Sequence, residues 1–139
     1  VISTGMSSLN QIKRAVGCIP PQLLSMIMHC HSSYPALDEE LNLRVITTYS
    51  RLFPCPIGYS SHSVSPFPAI YAALLGASAI EAHITLDRSM VGSDHSASLE
   101  KDGLRLLRRE LNRIPHVLGD GNKRVWESEK KARLKLRGY

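Results

Sequence analysis

The chain has 139 residues, 43% of them hydrophobic, and a formal net charge of +5. This is enough for one modest domain, and its apolar runs fall far short of the about 18 residues that a membrane helix needs. The charge sits in one place: residues 122–139 hold seven Lys and Arg against Glu127 and Glu129, so residues 1–121 are neutral overall. Residues 1–3 read as a strand. Ser8-Leu9-Asn10-Gln11 is a capping-box pattern that opens a helix ending near Val16 and Gly17. Residues 23–30 form an apolar run, short enough for a strand buried on both faces. Asp38-Glu39-Glu40 leads into a helix over about 43–52, which Pro54 and Pro56 terminate. Residues 56–60 are the third strand. A small-residue helix follows over 67–75, with Ala69, Ala72 and Ala73 allowing close approach to a sheet. Residues 79–85 are the fourth strand, and 86–98 are a long loop. The last helix of this pattern covers 102–113, with Leu104, Leu107 and Leu111 on one face and Arg105, Arg108 and Arg109 towards water.

Strand, helix, strand in repetition makes a parallel sheet. Parallel strands in such units end on one side, the rim where α/β barrels do their chemistry. His62 and His83 close the third and fourth strands, so both imidazoles are expected at that rim. Side chains alternate along a strand, which puts Ser60 with His62 and Glu81 with His83. A single strand-end histidine is more often structural than functional. Two on adjacent strands, each preceded by an inward polar residue, reverse that expectation and form a plausible site for a divalent metal or a substrate.

Six phrases, in order, carry a resemblance over nearly the whole chain. They are Ile2-Ser3-Thr4-Gly5-Met6; His29-Cys30-His31-Ser32-Ser33-Tyr34-Pro35; Gly58-Tyr59-Ser60-Ser61-His62; Glu81-Ala82-His83-Ile84-Thr85-Leu86-Asp87-Arg88; Gly92-Ser93-Asp94-His95-Ser96-Ala97-Ser98-Leu99-Glu100; and Leu118-Gly119-Asp120-Gly121-Asn122-Lys123-Arg124. Together they resemble the second half of the catalytic barrel of the N-acetylneuraminate (sialic acid) synthase family. The resemblance implies an α/β fold, a partial TIM-type (β/α) barrel of about four parallel βα units. Residues 1–121 would be the second half of a (β/α)8 barrel, and 122–139 a basic helical tail or linker leading out of it. A complete barrel takes about 250 residues. The expectation is therefore a piece of a longer enzyme, without the first half-barrel and the antifreeze-like domain that follows the barrel in this family, and inactive by itself.

The activity implied is condensation of phosphoenolpyruvate with N-acetylmannosamine to give N-acetylneuraminate and phosphate. The cofactor implied is a divalent metal, Mn²⁺ first, with Mg²⁺ or Co²⁺ as alternatives. Carried over residue by residue, His62 and His83 match the metal ligands and, with Glu81, the catalytic set. Glu81 and Asp94 match carboxylates that hold the sugar hydroxyls, and Tyr34 a sugar-contacting tyrosine. Ser3 and Ser60 match hydroxyls at the phosphate of phosphoenolpyruvate. Ser32 stands where some sialic acid synthases have a substrate-binding Asn, so the exact sugar stays open; legionaminic and pseudaminic acid synthases share the scaffold. Ser61 replaces a frequent Asp and Ala82 a frequent Lys, and both should point away from the barrel interior. The family's phosphate-binding lysines, its early-barrel catalytic Glu and an Arg from the antifreeze-like domain have no counterpart. The resemblance also implies a homodimer for the full-length enzyme. The alternative is a non-catalytic half-barrel that binds a ligand or dimerises.

Other residues suit structural roles better. His29 and His31 flank Cys30 and share a face, yet the family match does not use them. His95 neighbours Asp94 on the rim loop and is either a substrate contact or a solvated loop histidine. His116 follows Pro115 near a helix end. Cys18, Cys30 and Cys55 are an odd number without metal spacing, and no signal peptide is visible, which suits a reducing cytoplasm. The basic tail has only Trp126 and Tyr139 as aromatics and no nucleic-acid motif, so neither nucleic acid nor membrane is expected as a partner. Its Leu134 and Leu136 are expected to pack locally.

Overall fold

A computed structural model describes residues 1–138. In chain order the elements are β1 (Ile2–Ser3), α1 (Leu9–Gly17), β2 (Ile27–Cys30), α2 (Val45–Leu52), β3 (Ile57–Ser61), α3 (Phe67–Leu74), β4 (Ile80–Ala82), α4 (Lys101–Leu118) and α5 (Lys130–Arg137). Short 3-10 turns lie at Pro21–Leu23, Asp38–Glu40, His95–Ala97 and Glu127–Glu129. All four strands are parallel in the order β1-β2-β3-β4. The fold is α/β, four βα units forming an arc of a TIM-type barrel.

Register decides which side chains share a face. Ser3, Met28 and Gly58 are level across three strands, and Cys30, Ser60 and Glu81 are level one pleat further on. These rows form one face. Ile27 with Ile57, and His29 with Tyr59 and Ile80, form the other. The second face is the core. Ile27 and Tyr59 are fully buried there with Ile46 and Tyr49 of α2, Ala69 and Ala72 of α3 and Leu107 of α4. Each such large side chain contributes roughly 2 kcal/mol by leaving water. Alanines at 69 and 72 let α3 approach the sheet closely. The helices thus cover one face and leave the Ser60–Glu81 face turned away from them. Ser61 and Ala82 lie on the core side, as alternation requires.

Local chemistry explains the element ends. The Gln11 side-chain oxygen accepts from both the Ser8 amide and the Ser8 hydroxyl, each at 2.8 Å, and starts α1. Gly76, at φ +99°, stops α3 with its amide donating to the Ala73 carbonyl. Most boundaries fall within two residues of the sequence reading, and three differ by more. β2 begins at Ile27, because Pro20 and Pro21 turn the chain into a 3-10 segment first. β4 ends at Ala82, and its continuation is bridged by Leu99, whose amide donates to His83 O and whose carbonyl accepts from Thr85 N, both at 2.9 Å. α4 runs on through Pro115 to Leu118; Gly119, at φ +63°, closes it by donating to Pro115 O. Pro115 gives up one amide bond, to the Leu111 carbonyl, and only Leu118 and the two residues before it follow in the helix. The tail also departs from expectation. Leu134 is 64% and Leu136 80% exposed, so neither packs locally.

Candidate functional site

The first residue after β3 is His62 and the first after β4 is His83. Parallel pairing brings their rings together with centroids 5.4 Å apart and nearly perpendicular. Tyr34, from the loop after β2, lies against both: 5.2 Å from His62, edge-on, and 4.7 Å from His83. Asp94, from the loop after β4, places Oδ2 3.6 Å from His83 Nδ1, beyond hydrogen-bond range. Below this rim the Ser60 hydroxyl donates to Glu81 Oε1 at 2.7 Å. Ser60 is buried, whereas Glu81 is exposed.

The remaining candidates are near this group but in different layers. Cys30 is level with Ser60, and burial pushes its thiol above the ordinary range. The Ser32 hydroxyl fills the space that a Cβ on Gly5 would take, only 2.0 Å from that position. Ser3 is exposed and level with Met28 and Gly58, one pleat below Ser60. The structure thus assembles His62, His83, Tyr34 and Asp94 at the rim and Ser60 with Glu81 beneath. Ser32 sits beside Gly5, and Ser3 in the lower row.

The other histidines lie elsewhere. His29 faces the core, where its Nε2–H donates to Leu41 O at 2.8 Å. Burial depresses its pKa, with the neighbouring His31 adding to the effect and the Leu41 bond opposing it. His31 Nε2 lies 3.2 Å from Glu40 Oε2, though not aligned for a hydrogen bond. His95 Nδ1 shares a 2.8 Å hydrogen bond with the Thr85 hydroxyl and braces the rim loop. His116 lies in the last turn of α4.

Residues 1–123 match the NeuB family. The chain belongs to that family. It is 41% identical over 138 residues to N-acetylneuraminate-9-phosphate synthase of Homo sapiens, covering 98% of this chain and 38% of that protein. The N,N'-diacetyllegionaminic acid synthase of Campylobacter jejuni is 36% identical over 135 residues, covering 94% of this chain and 40% of that protein. Among solved structures, the N-acetylneuraminic acid (sialic acid) synthetase of Leptospira borgpetersenii serovar Hardjo-bovis, in complex with citrate, superposes with a TM-score of 0.80 at 35% identity. It covers 97% of this chain and 49% of that one. The chain spans about two fifths of the length of the curated relatives it matches.

Whether these NeuB-family residues suit a divalent ion can be asked of the geometry. With metal–nitrogen bonds of about 2.1 Å, two imidazoles on one ion hold their centroids about 5 Å apart. The His62–His83 spacing meets that. His62 Nδ1 is buried with no hydrogen-bond partner, an unsatisfied nitrogen in a polar setting. Among the described residues no third His, Cys, Asp or Glu completes a ligand group. The two rings therefore suit an ion as a partial ligand set. Two residues at this rim escaped sequence reasoning as individuals. Ser98 is 3% exposed and bonded to Tyr34, and Arg88 donates through Nε to Ser98 O at 2.8 Å and through Nη2 to Val64 O at 3.1 Å. Their signal was membership in the Glu81–Arg88 and Gly92–Glu100 phrases.

Proposed function

We propose that this chain is the site-bearing second half-barrel of a phosphoenolpyruvate-dependent synthase of a nine-carbon sugar acid. N-acetylneuraminate, made from N-acetylmannosamine with release of phosphate, is the first choice of product. The observation that carries this reading is the convergence of His62, His83 and Tyr34 on one rim above the Ser60–Glu81 pair. Names of relatives support the reaction class: N-acetylneuraminate-9-phosphate, diacetyllegionaminic acid and pseudaminic acid synthases.

In this reading His62 and His83 hold a divalent cation, Mn²⁺ first, through neutral imidazole nitrogens. A bound cation supplies Lewis acidity that polarises the open-chain sugar's aldehyde. Tyr34 offers the sugar an aromatic wall, and Asp94 and Glu81 accept hydrogen bonds from its hydroxyls. Ser60, with Ser3 below it, donates to the phosphate of phosphoenolpyruvate. Ser60 must then turn its proton from Glu81 Oε1, which frees that oxygen for a sugar hydroxyl. The small Ser32 leaves the neighbouring substituent of the sugar loosely specified, which keeps a legionaminic-type sugar as the second reading. A full-length homodimer remains part of the proposal.

The test is an assay of the intact protein with Mn²⁺ and phosphoenolpyruvate, following phosphate release and sugar-acid formation. The aldehydes offered are N-acetylmannosamine, its 6-phosphate and the diacetylated precursor of legionaminic acid. Turnover with one of them supports the reading and selects the sugar. Absence of phosphate release with all three rejects it.

A further inference from the structure

Beside the Thr85–His95 bond, a second buried hydroxyl holds the rim loop. Ser98 Oγ donates to Asp94 O at 2.7 Å, since a carbonyl can only accept. Its single proton is thereby committed, so the 2.9 Å contact with Tyr34 must run the other way, from the phenol to Ser98 Oγ. The Ser98 carbonyl in turn accepts from Arg88 Nε, while Arg88 Nη2 reaches Val64 O. Val64 follows His62, Tyr34 belongs to the loop after β2, and Asp94 to the loop after β4. Ser98 is thus the junction of three loops around the two imidazoles.

Two arms of the junction reach the imidazoles. Tyr34 is fixed at both ends, by its hydroxyl on Ser98 and by its ring against His62 and His83. Asp94 has its backbone tied to Ser98 and its carboxylate 3.6 Å from His83 Nδ1. With Ser98 only 3% exposed, no water substitutes freely for its hydroxyl. We propose that Ser98 is a positioning residue: its hydroxyl fixes Tyr34 and Asp94 in the attitude that cradles the sugar beside His62 and His83. It touches neither substrate nor reacting atoms. The proposal rests on the function proposed above for what is cradled, but not for the junction itself.

The experiment compares the intact protein with Ser98→Ala, Tyr34→Phe and the double variant. Tyr34→Phe breaks the same hydrogen bond from its other end and keeps the ring. One readout is the NMR signals of the His62 and His83 ring C–H groups, which sense the adjacent Tyr34 ring without any need for turnover. Ser98→Ala and Tyr34→Phe should each shift them, and the double variant should shift them by less than the sum. The second readout is kinetic. Ser98→Ala should raise the KM for the amino sugar about tenfold, as loss of the two hydroxyl hydrogen bonds allows, with the KM for phosphoenolpyruvate within about twofold. Ring signals unchanged in Ser98→Ala, fully additive shifts, or an equal rise in both KM values would overturn the proposal. A wild-type protein without synthase turnover would reject the functional reading alone, and the ring signals would still decide the role of Ser98.

Discussion

His29→Leu separates the structural histidine from the rim pair. His29 is 8% exposed, faces the core, and gives its Nε2–H to Leu41 O at 2.8 Å. Its ring meets Tyr49 edge-on at 6.1 Å and Tyr59 at 5.9 Å. Leucine keeps most of that packing but strands the Leu41 carbonyl, at a cost of about 1–3 kcal/mol. The pH dependence gives a sharper signature. Burial holds the folded pKa of His29 below its ordinary value, whereas the unfolded chain takes up the proton near about pH 6.5. Above that pH both states are neutral at this site and its full contribution is present. As pH falls through the unfolded and then the depressed folded pKa, the unfolded state binds more protons and the contribution is lost. The stability difference between wild type and His29→Leu, from urea unfolding, should therefore be largest above about pH 7 and shrink towards about pH 5. A difference that stays constant or grows on acidification would refute the assignment of His29 as a neutral core group.

Two further outcomes follow from the opposite face of the sheet. Gly5→Ala places a methyl on the Ser32 hydroxyl, 2.0 Å away, with Ser32 Cβ at 3.3 Å. It should cost about 1–3 kcal/mol by overpacking and displace Ser32, read by urea unfolding and by the Ser32 signals in NMR spectra. Cys30, its thiol pushed up by burial, should alkylate with iodoacetamide at neutral pH more slowly than the exposed Cys18. Mass spectrometry of a time course reads the order, and faster labelling at Cys30 would contradict the burial argument.

Much of this architecture was legible because it is local or periodic. Ser8 and Gln11 announced α1, the run at 67–75 announced α3, and the alternation along β3 and β4 announced the pairing of Ser60 with Glu81 beneath His62 and His83. What failed was whatever depends on a neighbour far along the chain. The end of β4 is set by what pairs with it, and among the described residues only the Leu99 backbone does so beyond Ala82. Tyr34 meets Ser98 across 64 positions, and Asp94 returns to His83 through a loop with no period to read. The exposed Leu134 and Leu136 show the same limit: composition proposes an apolar side chain for packing, but only tertiary contact supplies the surface.

The most direct test of the two-imidazole site is Mn²⁺ binding by the intact protein, followed through the loss of the free-ion EPR signal. The account requires His62→Ala and His83→Ala each to weaken binding by more than the about 10–100-fold that outer-shell substitutions cost, while His29→Leu leaves affinity near wild type. Mn²⁺ affinity unchanged in both rim variants would show that the convergence of His62 and His83 serves something other than a metal.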